Sequence, residues 1–286
     1  MKVLKLYFGL PRLHFELLSA QCRQLLAVDS ATVTNYFFFW PRDTSDIRES
    51  VLTGGDAGDM ARRLDAAGLG ERFVNFSNEM ARYRPEIDIW LNRLPEKVKF
   101  PQENEAREEK FKISLYNVFS QAVARSALAR HLLDSAECDA KGLYILTRPD
   151  LVLSNNLNLD LMHRIVREND DFVFTPNSGH HYGGVCDQFM IFSHRFFRVL
   201  PLFPEFLCQS LMNGEELRFE LLLKRFILSQ GFKVCSFDRL AYIFRDGRFI
   251  HSGDDGIVTP DLQIPIDFRE LTQRIVVSQP PVSIVV

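Results

Sequence analysis

Apolar and polar segments alternate at the start of the chain in a way that predicts strands and helices in turn. Residues 2-KVLKLYFG-9 are largely apolar and then meet Pro11, as expected for a strand that ends in a turn. Residues 13-LHFELLSAQCRQLLA-27 repeat apolar positions at helical spacing, and the aromatic stretch 31-ATVTNYFFFW-40 predicts a second strand. A β-α-β opening of this kind is typical of a mostly parallel α/β sheet.

Longer helices and short apolar strands continue this pattern. Acidic residues crowd the first turn of the helix predicted over 105–135, where they suit the helix macrodipole. The apolar stretch 142–153 predicts a strand broken by Pro149, and the helix predicted over 215–231 ends at Gly231. We predict further helices over 158–169 and 194–212, and strands over 171–176, 232–237, 239–247 and the end of 177–193.

The 286 residues are predicted to form one domain over 1–286. Residues 41–110 indicate a variable surface excursion, with polar stretches at 41–72 and 95–109. A short helix is predicted around 58–68, and a strand or short helix over 73–94. The tail at 265–286 ends in the apolar SQPPVSIVV, which suits an added strand, an oligomer contact or a loose tail.

Composition narrows the functional classes only a little. Hydrophobic residues make up 46% and charged residues 25%, as in an ordinary globular protein. The net charge of -3 predicts no general attraction to nucleic acid. Five scattered cysteines without zinc spacing favour reduced thiols. Because no signal peptide or transmembrane run is found, a cytoplasmic protein is expected, with peripheral contact at the inner membrane face left open.

Three loops carry residues suited to chemistry. They are 9-GLPR-12, 148-RPD-150 and 183-GGVCDQF-189, and each lies where a strand meets a loop. Ligands of open α/β sheets bind outside the carboxyl ends of the strands, so the three loops are expected to share one crevice. Each loop alone is also explained by a plain turn, a cap or a salt bridge.

The order and spacing of these loops resemble a group of bacterial glycosyltransferase-like proteins of capsule and lipopolysaccharide biosynthesis. That group combines a Gly-Gln-Pro-Arg turn, an Arg-x-Arg-x-Asp strand and a Gly-Gly-x-x-Asp-Gln-Phe loop. The resemblance covers roughly residues 1–40 and 110–245. The matching stretches are 3-VLKLYFGLPR-12, 35-NYFFFW-40, 114-SLYNVFSQAVA-124, 144-YILTRPDLVL-153, 183-GGVCDQF-189 and 220-ELLLKRFILSQGFKV-234. The chain departs from the pattern at Leu10, Leu146 and Cys186.

The resemblance implies a GT-A-like, Rossmann-type fold and transfer of a sugar from a nucleotide-activated donor to a glycan or glycolipid. Arginine forks suit phosphate oxygens, and hard cations prefer carboxylate ligands. Whether Mg²⁺ or Mn²⁺ takes part is left open, with Asp150 and His251 as the candidate metal ligands. The donor-binding residues implied are Gly9, Pro11, Arg12, Arg148 and Asp150.

Asp187 is the candidate general base for the acceptor hydroxyl in an inverting transfer. In a retaining transfer Asp187 would position the acceptor instead. The resemblance makes Glu220 either catalytic or an anchor for Arg148. Gly183 and Gly184 are expected to leave room for the acceptor and Phe189 to offer an apolar face. The acceptor-binding set is Gly183, Gly184, Gln188, Phe189 and His181.

Two other functions remain open at this point. The departures at Leu10 and Leu146 favour a catalytically silent GT-A-like module that binds a nucleotide or a glycan. An unrelated α/β hydrolase using Asp187 and His181 is the other alternative, although the chain has no Gly-x-Ser-x-Gly nucleophile elbow.

Overall fold

A computed structural model describes the protein over residues 2–9, 32–39, 66, 73–75, 81–100, 108–135, 138–148, 151–153, 159–176, 183–237, 241–245, 248–251, 257–258 and 275–278. The strands are β1 (Lys2–Gly9), β2 (Thr32–Phe39), β3 (Phe73–Asn75), β4 (Leu143–Thr147), β5 (Leu151–Leu153), β6 (Phe172–Pro176), β7 (Phe189–Phe192), β8 (Lys233–Phe237), β9 (Ala241–Arg245), β10 (Arg248–His251), β11 (Ile257–Val258) and β12 (Ile275–Ser278). The helices are α1 (Arg84–Leu91), α2 (Glu108–Asp134), α3 (Leu159–Glu168), α4 (His194–Val199), α5 (Phe203–Met212) and α6 (Phe219–Ser229).

Within the described residues, the main sheet has eight strands in the order β12-β8-β6-β7-β4-β1-β2-β3. β1, β2, β3, β4, β6 and β8 run in one direction, while β7 and β12 run in the other. The predicted α/β class, a Rossmann-type, mostly parallel sheet flanked by helices, is therefore confirmed. The strand order reverses between β1 and β4, which is where open α/β sheets bind their ligands.

The two faces of the sheet bury different hydrophobic clusters because side chains alternate along each strand. On β1, Leu4 and Leu6 belong to the larger cluster, which contains buried residues of α2, α4, α5 and α6. Val3 belongs to the smaller cluster, together with Leu159 and Met162 of α3. The sheet thus lies between two helical layers, and α2 packs against β1 and α5.

The sequence predicted one strand over 142–153, but the structure has two strands that belong to different sheets. β4 pairs with β1 and β7, whereas β5 pairs with β9 in a small antiparallel sheet ordered β11-β10-β9-β5. The chain leaves the main sheet at Arg148, directly before Pro149, which has no N–H to continue a ladder. The loop predicted at 148–150 therefore begins where the chain passes from the main sheet to the small antiparallel sheet.

Most other predicted elements are confirmed with ends shifted by a few residues. The helix predicted over 194–212 is α4 and α5 joined by a 3-10 turn over Leu200–Leu202, at the predicted proline interruption. β12 is a strand added to β8, and it ends at Ser278, which begins the apolar end SQPPVSIVV and is its only residue among those described. The helix predicted over 13–27 lies outside the described residues, and so does all of the one around 58–68 except residue 66.

Candidate functional site

Two strand ends and one strand start meet at a single edge of the main sheet. β1 ends at Gly9 and β4 at Thr147, and the antiparallel β7 begins there at Phe189. The backbone N–H of Arg148 donates to the carbonyl of Gln188 at 3.1 Å. The loops that follow β4 and precede β7 are thus joined directly, beside the last residue of β1.

Asp187 lies in the second of these loops and is held by a buried arginine. The residue is 8% exposed, and Arg125 of α2 is wholly buried. The Arg125 Nη2 donates to the Asp187 carbonyl at 2.5 Å and lies 3.6 Å from the Asp187 Oδ2. The Arg125 Nη1 donates to the carbonyl of Gln121 at 3.1 Å. One guanidinium therefore contacts both the backbone and the carboxylate of Asp187.

Two aromatic rings flank the Arg125 guanidinium. Its central carbon lies 4.3 Å from the ring centre of Phe8 and 5.2 Å from that of Phe219. Both distances suit cation–π attraction. Burial lowers the pKa of Arg125 to about 10, with Asp187 acting in the opposite direction, so the group stays charged at neutral pH. Arg125 thus joins the end of β1, the start of α6 and the Asp187 loop.

Arg148 and Glu220 complete a cluster of charges around Arg125. Beyond burial and Asp187, the pKa of Arg125 is lowered by the positive charge of Arg148 and raised by the negative charge of Glu220. Arg148 is partly buried at the end of β4, and Glu220 lies in the first turn of α6. Arg125 thus lies within electrostatic range of one further cation and two carboxylates.

Gly184 is a glycine for a reason that differs from the predicted one. A Cβ on Gly184 would lie 2.4 Å from the backbone carbon of Glu220 and 2.6 Å from the nitrogen of Leu221. The next residue, Val185, donates its N–H to the Glu220 carbonyl at 3.1 Å. The space that the missing side chain leaves is taken by the start of α6, and not by open room for an acceptor.

Gly183 has a left-handed backbone with a φ of 76°, and nothing within 4 Å would meet a Cβ there. Left-handed backbone of this kind favours glycine. The ammonium of Lys224 donates to the Gly183 carbonyl at 2.9 Å. Gly183 turns the chain at an exposed position, and its contact with an acceptor stays a prediction.

The two residues after Asp187 differ in their surroundings. Phe189 is 4% exposed and its side chain packs in the smaller hydrophobic cluster. Its backbone pairs with Thr147 of β4. That burial gives its ring a packing role and argues against the predicted role as an apolar face for a sugar. Gln188 is only partly buried, and its Oε1 is enclosed without a hydrogen-bond partner among the described residues.

Several predicted site residues cannot be placed. Pro11, Arg12, Asp150 and His181 lie outside the described residues. The backbone of His251 ends β10 and pairs with Tyr242 of β9, which in turn pairs with Val152 of β5. His251 is therefore two strands away from the strand that follows Asp150. No group of three or more potential metal ligands occurs among the residues described.

The sequence reasoning missed Arg125, although a signal for it is present. Arg125 interrupts the small apolar run 122-AVARSALA-129, and Ala122, Leu128 and Ala129 around it are all buried. A charge at the centre of the apolar face of a helix is rare unless it is paired. The sequence therefore indicated that Arg125 has a buried acidic partner, but it did not identify which Asp or Glu that partner is.

The thiol of Cys186, directly before Asp187, is expected to be unreactive. Burial raises its pKa to about 12, with the Asp187 carboxylate acting in the same direction. Since the thiolate is the nucleophile, the protonated thiol at pH 8 should resist iodoacetamide. Mass spectrometry of the native protein should show alkylation of the partly exposed Cys138 before Cys186. Equal labelling of both before denaturation would contradict this placement.

Comparison with known proteins gives only weak structural likeness. No family model and no curated protein matches the chain. The crystal structure of mouse xyloside xylosyltransferase 1, apo form, is similar with a TM-score of 0.36 and 10% sequence identity, over 81% of this chain and 82% of that chain. No helix among the residues described is both long and apolar enough to cross a membrane.

Proposed function

We propose that the protein is a nucleotide-sugar-dependent glycosyltransferase of GT-A-like fold that acts in bacterial surface-polysaccharide assembly. One observation carries this proposal. The motifs at Gly9, Arg148 and Asp187, which are far apart in sequence, lie at one edge of the sheet, at the reversal of strand order. Ligands of Rossmann-type sheets bind at that position. The bacterial and polysaccharide context rests on the sequence resemblance alone, and the cytoplasmic location stays a prediction from the sequence.

In the proposed reaction the acceptor hydroxyl attacks the anomeric carbon of the donor sugar, and the bond from that carbon to the phosphate oxygen breaks. The leaving nucleoside diphosphate keeps the electron pair. If configuration inverts, Asp187 takes the acceptor proton. If configuration is retained, Asp187 positions the acceptor and the leaving phosphate oxygen takes the proton. Arg148 stabilises the negative charge that develops on the phosphate oxygens.

A departing diphosphate carries more negative charge than Arg148 alone offsets. Arg125 is already opposed by Asp187 and Glu220. We propose that Arg12, or a Mg²⁺ or Mn²⁺ ion held by Asp150 and His251, supplies the further positive charge. A bound ion would offset phosphate charge. These side chains are outside the described part of the structure, so no step is assigned to the ion.

Burial of the Asp187 carboxylate favours a second candidate function. A general base must come within hydrogen-bond reach of its substrate, and the Asp187 side chain is 10% exposed and lies 3.6 Å from Arg125. A silent GT-A-like module that binds a nucleotide or a glycan would not need that access. The two functions differ in turnover, and a nucleotide-binding module would share donor binding with the enzyme.

A thermal-shift screen of UDP, GDP, CMP, dTDP and their sugars, each with and without Mn²⁺, tests the donor site. A ligand at about 100 times its Kd is expected to stabilise the wild-type protein by roughly 2.7 kcal/mol. Arg148→Ala should lose this shift, whereas Arg195→Ala, which removes an exposed arginine paired with Asp170, should keep it. If no nucleotide stabilises the folded protein, the proposed donor site is wrong.

Turnover then separates the enzyme from the silent module. The sugar nucleotide that gives the largest shift is incubated with a panel of glycan and glycolipid acceptors, and release of the nucleotide is measured. Acceptor-dependent release would support the transferase. Binding without release across the panel would support the silent module.

A further inference from the structure

We propose that Arg125 is a positioning residue of the transfer reaction, acting through Asp187. This assignment rests on the proposed function. The sequence resemblance gave Arg125 no role, and the residue is too deeply buried to contact a substrate, since its exposed fraction is 0%. Its effect on the reaction must therefore pass through the groups that it holds.

The contacts of Arg125 fix both parts of Asp187. One guanidinium nitrogen donates to the Asp187 carbonyl and lies near its carboxylate, while the other donates to the carbonyl of Gln121 within α2. The fork is planar and rigid, so the second contact fixes the direction of the first. Asp187 is thereby oriented by α2, an element of the core, although it lies in a loop.

The rings of Phe8 and Phe219 limit the remaining movement of the guanidinium. Phe8 lies at the end of β1, next to Gly9 of the proposed donor site, and Phe219 directly precedes Glu220. A shift of the Arg125 guanidinium would therefore bring it against a ring at the end of β1 or a ring at the start of α6. Arg125 sets the position of Asp187 relative to the proposed donor and acceptor residues.

Arg125→Lys tests this assignment because lysine keeps the positive charge but lacks the fork. A misplacement of about 1 Å at a reacting group costs on the order of 100-fold in rate. We expect kcat of the variant to fall by roughly 10-fold to 100-fold, with the donor KM within about threefold of wild type. Arg130→Lys on the same helix, whose arginine pairs with Glu86, is the matched control and should leave kcat unchanged.

A double-mutant cycle distinguishes positioning from a general structural effect. In an Asp187→Asn background, Arg125→Lys should change the residual turnover by less than about twofold, because the group through which it acts is already lost. Losses that multiply in the double variant would overturn the assignment. If the wild type has no turnover with any donor that binds, the proposed function fails, and the assignment fails with it.

Discussion

Arg125→Met is expected to destabilise the protein by about 3 to 5 kcal/mol, because it leaves the buried Asp187 without its cation. Methionine fills a similar volume, so the change removes the charge more than the packing. Arg125 is wholly buried and Asp187 nearly so, and solvent therefore does little to compensate either charge. Urea unfolding followed by circular dichroism would measure the loss as a lower midpoint at an unchanged slope.

Arg130→Met provides the control on the same helix. Arg130 pairs with Glu86 at 2.7 Å, but its side chain is 37% exposed. Exposed pairs contribute about 0 to 1 kcal/mol, so this variant should unfold near the wild-type midpoint. A combined Arg125→Met and Asp187→Leu variant should recover part of the stability, because it leaves no single charge buried. If Arg125→Met and Arg130→Met lower the stability equally, the Arg125–Asp187 pair is not buried as described.

Gly184→Ala is expected to cost about 3 kcal/mol, at the upper end of the usual effect of overpacking. The added methyl group would meet backbone atoms of Glu220 and Leu221, which cannot rotate away as a side chain can. Relief requires the 183–188 loop to move from the start of α6, which breaks the bond from Val185 to Glu220. Thermal unfolding should show a midpoint lowered by several degrees.

Gly183→Ala separates crowding from backbone strain in the same loop. Gly183 has a left-handed φ of 76°, but no atom lies within 4 Å of the position that a Cβ would take. The expected cost is about 1 kcal/mol, from the backbone conformation alone. If Gly183→Ala destabilises the protein as much as Gly184→Ala, the close approach of Gly184 to α6 is not what requires glycine there.

Local pattern in the sequence determined most of the helices and strands. Helix and strand periods repeat within a few residues, so their signals are short-range. Examples are the apolar run of β1, the face of small apolar residues on α2 and the glycine that ends α6. The same reasoning placed Arg148 at a strand end and Asp187 in a loop before a strand. It also predicted that their loops would share one edge of a sheet, and the Arg148 to Gln188 hydrogen bond confirms this for two of them.

Only the tertiary structure decided which residues surround Asp187 and why Gly184 is a glycine. The partner of Asp187 is 62 residues away on α2, and the backbone that crowds Gly184 belongs to α6. Neither spacing follows from a local period. Local pattern also could not predict that β7 runs antiparallel to its neighbours or that β5 belongs to a second sheet. The sequence indicates which side chains must be buried and which buried charges must be paired. The packing of elements that are distant in sequence decides which partner each of them contacts.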